Sequence, residues 1–212
     1  VYIPAHFDEA ELSVVLELIE ANPLASIVTH RPEGLDANPV PLLLESRAPG
    51  ALTLIGHVSR KNHLGTDATP GEAVLVLFRG AQGYVSPNWY PGKARDENQV
   101  PTWNYQVVNL RGVLEIVDDE KFVRGVVARL VTKNEASQPK PWKMTDSDPA
   151  YIDQNLTQIV GLRITVTDVK AKFKLSQNRS HEDWLGAAQG LGSAGNSALE
   201  SAMLDAYHRN KD

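Results

Sequence analysis

Two short stretches of this chain gather side chains that can hold a flat, partly polar molecule. One is Val100-Pro101-Thr102-Trp103-Asn104-Tyr105, and the other, just upstream, is Gly83-Tyr84-Val85-Ser86-Pro87-Asn88-Trp89-Tyr90-Pro91. Buried polar groups need partners, so a plain core seldom sets Trp, Thr, Asn and Tyr side by side. A planar ligand does need that mixture: ring faces to lie against, and hydroxyls or amides to fix its orientation. Ser86, Trp89, Thr102, Trp103 and Asn104 are therefore candidate contacts for an aromatic small molecule. One Trp alone would read as the plug of a barrel end; the interleaved Ser, Thr and Asn favour a ligand.

A second candidate is Gly56-His57-Val58-Ser59-Arg60-Lys61-Asn62-His63. An apolar strand runs out into a polar turn where Ser59 can cap and Arg60 and Lys61 add positive charge. Free backbone N–H groups beside cations suit a phosphate or another anion. A capped, solvated turn is the plain alternative. The third is Lys172-Phe173-Lys174-Leu175-Ser176-Gln177-Asn178-Arg179, which could donate to ring carbonyls or phosphate. It also reads simply as a turn before a helix capped by Ser180.

Gly190-Leu191-Gly192-Ser193-Ala194-Gly195 spells G-x-G-x-x-G. That fingerprint works where a strand delivers the glycines to a helix within a βαβ unit. Helical sequence precedes it here, so it reads as a flexible connector. The 6 histidines show no metal-ligand spacing, and no metal is expected. There is no P-loop, no G-x-S-x-G and no paired-carboxylate signature.

These groups need elements to position them. Residues 24–30, 38–45, 51–57, 73–78, 82–86, 105–117 and 159–175 are short β-type runs, with turns at 31–34, 48–50 and 69–71. Asp8 with Glu11 resembles a capping box, and Phe7 and Leu12 a staple, for a helix carrying Leu12, Val15, Leu16 and Ile19. Further helices are expected over 118–133, 151–156, 180–188 and 197–208. Many short strands with few helices indicate a mainly β fold with helical decoration.

The chain has 212 residues, 42% hydrophobic and 22% charged, as an ordinary globule does. It has no cysteine, which excludes disulfides, thiolate zinc sites and cysteine nucleophiles. A net charge of -5 is a poor basis for sequence-independent affinity for DNA. No apolar run is long enough to span a bilayer, and no signal-type segment opens the chain. A cytoplasmic protein without membrane association is the expectation, and the sequons at Asn155 and Asn178 read as chance matches.

At these segments the chain resembles the PaiB-type family of FMN-binding negative transcriptional regulators. The resemblance rests on Tyr2-Ile3-Pro4-Ala5-His6-Phe7, on Gly56-His57-Val58 with Arg60 and Asn62, and on Tyr84-Val85-Ser86-Pro87 with Trp89-Tyr90. It continues through Val100 to Tyr105 and Lys174-Leu175-Ser176-Gln177-Asn178-Arg179, in matching order over roughly residues 1–192. Lys61-Asn62-His63-Leu64 departs from the family's usual continuation, which carries an aromatic.

The resemblance implies a split β-barrel of Greek-key type, related in fold to pyridoxamine-phosphate oxidases, over 1–192, with a helical tail over 193–212. It implies a homodimer with FMN where two barrels meet, and repression of transcription. Arg60 would take the FMN phosphate, helped by Ser59 and Lys61 within the segment that also holds His57 and Asn62. Thr102 and Asn104 would meet polar flavin edges, and Trp103 or Trp89 would cover a face. Lys174 and Gln177 would approach from another strand. A flavin-dependent oxidoreductase is the alternative. DNA contact stays open through Arg124, Arg129 and Lys133 on one helix, or through a repressor partner.

Overall fold

Among the described residues, period-2 burial sets seven strands: β1 (Leu24–Arg31), β2 (Gly34–Pro41), β3 (Leu43–Ser46), β4 (Thr53–Ser59), β5 (Glu72–Val85), β6 (Thr102–Val117) and β7 (Ile159–Lys174). The structure is a computed structural model, which describes residues 1–48, 50–66 and 71–210. The turns expected at 48–50 and 69–71 include residues 49, 69 and 70, which lie outside the described residues. The helices are α1 (Leu12–Ala21), α2 (His63–Thr66), α3 (Glu120–Glu135), α4 (Pro149–Leu156), α5 (His181–Ser193) and α6 (Ser197–Arg209).

The strands form one sheet in the order β2-β1-β5-β6-β7-β4-β3. β1 pairs antiparallel with β2 and β5, and β4 with β3 and β7. As a split barrel requires, the sheet is not a closed ring; β2 and β3 are its edges. The mainly β class with helical decoration holds. Pro39 and Pro41 fit β2 because an edge strand tolerates the missing donor. The run expected over 38–45 is two strands, broken at Leu42, whose N–H donates to the Pro23 carbonyl at 2.8 Å. The runs expected at 73–78 and 82–86 are one strand, β5.

The chain divides into two compact units. One comprises Val1–Ala21, Arg79–Asn109 and Lys170–Asp212; the other comprises Asn22–Phe78 and Leu110–Val169. We call them unit 1 and unit 2.

Unit 2 buries Leu54, Ile55, Leu110, Leu114, Leu162 and Ile164 among its strands. α3 starts where Asp119 accepts the Phe122 N–H at 2.7 Å, and it sets Val126 and Leu130 against Leu43 and Ile55. Gly161 has no side chain because the Phe122 ring fills that space.

Unit 1 packs α1, α5 and α6 with its segments of β5, β6 and β7. The α1 capping box does not form at Asp8, which makes an isolated bridge with Lys172. The Glu9 carboxylate takes the Glu11 N–H at 3.1 Å instead. The segment read as a flexible connector is helical to Ser193. Gly195, at φ 83°, ends it in the left-handed conformation that glycine adopts most easily. The Asn196 side chain then caps α6 by accepting the Leu199 N–H at 3.2 Å.

Candidate functional site

The twelve candidate residues fall on both units: His57, Ser59, Arg60, Lys61 and Asn62 on unit 2, and the other seven on unit 1.

On unit 2, β4 ends at Ser59, and a tight turn leads into the four residues of α2. Ser59 Oγ accepts the Lys61 N–H at 3.2 Å, but Asn62 is the side chain that caps α2, accepting the Leu64 N–H at 2.8 Å. Asn62 also donates to Asn38 Oδ1 at 3.0 Å.

Arg60 already has an anion. Its two terminal nitrogens face the two oxygens of Asp118, with one contact at 2.7 Å, and its Nε donates to the Thr157 carbonyl at 2.7 Å. The bonds between Arg60 and Asp118 raise the Arg60 pKa and hold the Asp118 carboxyl below the usual carboxylate range. A cavity of about 510 Å³ beside Arg60 is lined by Asp118, Glu120, Asp153, Val123 and Leu156 among others. Its acidic rim disfavours an anion. His57 is half-buried, with Nδ1 enclosed and unpartnered, and burial lowers its pKa. Arg124 pairs with Glu120 and Asp153, and Arg129 donates to the Leu44 carbonyl, so the basic patch expected on α3 is engaged by the protein itself.

On unit 1, several residues expected at a ligand make contacts within the protein. Ser86 Oγ accepts the Asn88 N–H at 3.2 Å and caps a 3-10 turn. Trp89, at the end of that turn, lies on α5 where Gly186 and Gly190 leave room for it. Gln177 folds back on its own turn, accepting from Leu175 N–H at 2.7 Å and donating to the Phe173 carbonyl at 2.5 Å. Asn104 is fully buried; its Nδ2 donates to Ser176 Oγ at 2.8 Å and contacts Met203 Sδ at 3.3 Å. Its Oδ1 is enclosed without a donor. Ser176 sits at φ 74°, a strained backbone for a residue with a Cβ.

That strained turn builds a cation cluster. Lys174 Nζ donates to Thr102 Oγ1 and, at 2.6 Å, to the Trp103 carbonyl. Lys172 Nζ donates to the Tyr2 carbonyl at 3.1 Å and lies 5.6 Å from the Tyr105 ring centroid. Arg179 donates to Gln99 Oε1 at 2.8 Å and stacks 4.8 Å from the Tyr90 ring centroid. Among the described residues, none of the three meets a carboxylate. Burial first, then the charges of Lys172 and Arg179, lower the Lys174 pKa. Trp103 is 57% exposed, so its indole is open to a ligand. Unit 1 thus holds three unneutralised cations among aromatic rings, which suits an anionic ring compound. Lys172 and Arg179 lie in the third candidate segment, though outside the twelve residues singled out as cofactor contacts. Lys172 shares a strand face with Lys174 two residues on.

The comparisons with known proteins give the family and the fold. Residues 1–168 match the family model described as "Putative FMN-binding domain". The protein named "Protease synthase and sporulation protein PAI 2", from Bacillus subtilis strain 168, is 28% identical over 190 residues, covering 90% of this chain and 88% of that one. The uncharacterized protein YKL070W of Saccharomyces cerevisiae is 27% identical over 158 residues, covering 66% of this chain and 93% of that one. Two solved structures share the fold. The flavocytochrome Anf3 of Azotobacter vinelandii aligns with TM-score 0.62 and 14% identity, over 86% of this chain and 78% of that one. The FAD- and heme-binding protein of Mycobacterium smegmatis aligns with TM-score 0.59 and 15% identity, over 85% of this chain and 79% of that one.

Proposed function

The chain belongs to the family of FMN-binding domains, and on that premise we propose that it is an FMN-binding negative regulator of transcription that works as a cytoplasmic homodimer. The observation that carries the flavin reading is the cluster of Lys172, Lys174 and Arg179, three cations beside aromatic rings, none of them ion-paired with a carboxylate among the described residues. FMN is an anionic ring compound, and the donor set fits it. Lys174 and Thr102 are proposed for a polar flavin edge and Trp103 for a ring face. Asn104 offers an enclosed acceptor without a donor. Gln177 acts one step back by holding the turn after Lys174, and Ser86 and Trp89 belong to the turn before Tyr90, the ring on which Arg179 stacks.

His57, Ser59, Arg60, Lys61 and Asn62 remain proposed contacts of a phosphate. Arg60 can serve only by exchanging Asp118 for it. FMN supplies one- and two-electron transfer when bound.

The regulatory part rests on the relationship to the sporulation protein and on the family resemblance. The net charge of -5, with Arg124 and Arg129 engaged internally, favours action through a protein partner over a direct grip on DNA. Among the described residues no helix is long and apolar enough to cross a membrane.

The test is a titration of flavin-free protein with FMN and with riboflavin. Quenched Trp fluorescence and a perturbed flavin spectrum are expected, with FMN bound more tightly. No change in either signal overturns the flavin reading. Steady consumption of NADH or NADPH by the loaded protein would replace the regulator with an oxidoreductase.

A further inference from the structure

We propose that Lys174 is a nucleophilic amine that captures small aldehydes bearing an anionic group as imines. The inference concerns the flavin-free protein and stands apart from cofactor binding.

Lys174 Nζ is held on two neutral acceptors, Thr102 Oγ1 and the Trp103 carbonyl, with the Phe7 ring centroid 6.0 Å away. No acid neutralises it among the described residues. Two further cations, Lys172 and Arg179, flank it, and each is tied to a neutral partner: the Tyr2 carbonyl and Gln99 Oε1. A half-buried amine beside other cations is the arrangement that turns a lysine into a nucleophile. Burial and those two neighbouring charges depress its pKa, which enlarges the neutral fraction at physiological pH. The same two cations give an anionic substituent its counter-charge.

In the reaction, the Nζ lone pair attacks the carbonyl carbon and a C–N bond forms. The carbonyl π electrons move to oxygen, which takes a proton that Thr102 Oγ1, in contact with Nζ, is placed to relay. Loss of water then leaves the imine. Amine and aldehyde give imine and water, so the step needs no oxidant or reductant.

The experiment treats the full chain, free of flavin, with glyoxylate and cyanoborohydride at pH 7, then maps the reduced adduct by peptide mass. With its amine held on neutral acceptors between two cations, Lys174 should be labelled faster than the exposed Lys140. Lys172→Gln and Arg179→Gln should each slow labelling severalfold, and acetaldehyde should react more slowly than glyoxylate. Labelling of Lys174 no faster than Lys140 overturns the proposal, and the wild-type chain alone decides that. Equal rates with acetaldehyde and glyoxylate overturn its anionic part.

Discussion

The guanidinium of Arg60 meets the carboxylate of Asp118 two nitrogens to two oxygens, the pairing that a phosphate would also seek. Both side chains are largely exposed, at 43% and 60%, so solvent screens the bridge and a dianion can compete for it. Asp118→Asn should therefore tighten FMN binding severalfold and leave riboflavin unchanged, while Arg60→Ala weakens FMN selectively. Fluorescence titrations with both ligands decide the matter; parallel changes for the two would remove Arg60 from the phosphate.

Gly190 lies under the Trp89 indole, and a Cβ at that position would overlap the ring. Gly190→Ala should cost about 1–3 kcal/mol by overpacking, despite the better intrinsic helix propensity of alanine. A thermal melt shows the sign. A higher melting temperature for Gly190→Ala would mean that Trp89 moves away freely.

That contact also explains a failure of sequence reasoning. Glycine is unfavourable inside helices, so Gly190 to Gly195 reads as a connector; the bulk of Trp89, about 100 residues earlier, is what requires the glycine. The Arg60 partner is likewise invisible, since Asp118 is 58 positions away in sequence. The strands were legible from alternation, and the diagnostic aromatic and basic segments did hold the unneutralised cations. The burial of Asn104 was legible in the sequence as well. On β6 it shares an inward face with Val108 and Leu110, while Trp103 alternates outward. Residue type suggested a ligand contact; period 2 put the amide inside.

Asn104 and Ser176 should behave as a coupled pair. The Asn104 amide donates to Ser176 Oγ at 2.8 Å in a fully buried setting, beneath a strained turn. Asn104→Ala and Ser176→Ala should each destabilise by about 1–3 kcal/mol. The double variant should fall short of their sum by at least about 0.5 kcal/mol. Urea melts of the four proteins complete the cycle, and strict additivity would show the hydrogen bond to be energetically idle.

Lys174 supplies a test of where the flavin lies. If FMN covers that amine, saturating FMN should protect Lys174 from acetylation while the exposed Lys140 reacts at an unchanged rate. Peptide mapping reads both sites in one sample. Equal acetylation of Lys174 with and without bound FMN would place the flavin elsewhere.

His57 should set part of the acid sensitivity. Burial lowers its folded pKa below the ordinary 6.5, so between those two values the unfolded chain binds more protons than the folded one. Stability from the neutral imidazole is thus complete above 6.5 and is lost as pH falls toward the folded value. Replacing it with a group that does not titrate removes that slope. Melting temperatures taken from pH 7.5 to 5.5 should drop more steeply for the wild type than for His57→Gln. Parallel curves would mean that the imidazole keeps its ordinary affinity for protons in the fold, with water reaching the enclosed Nδ1.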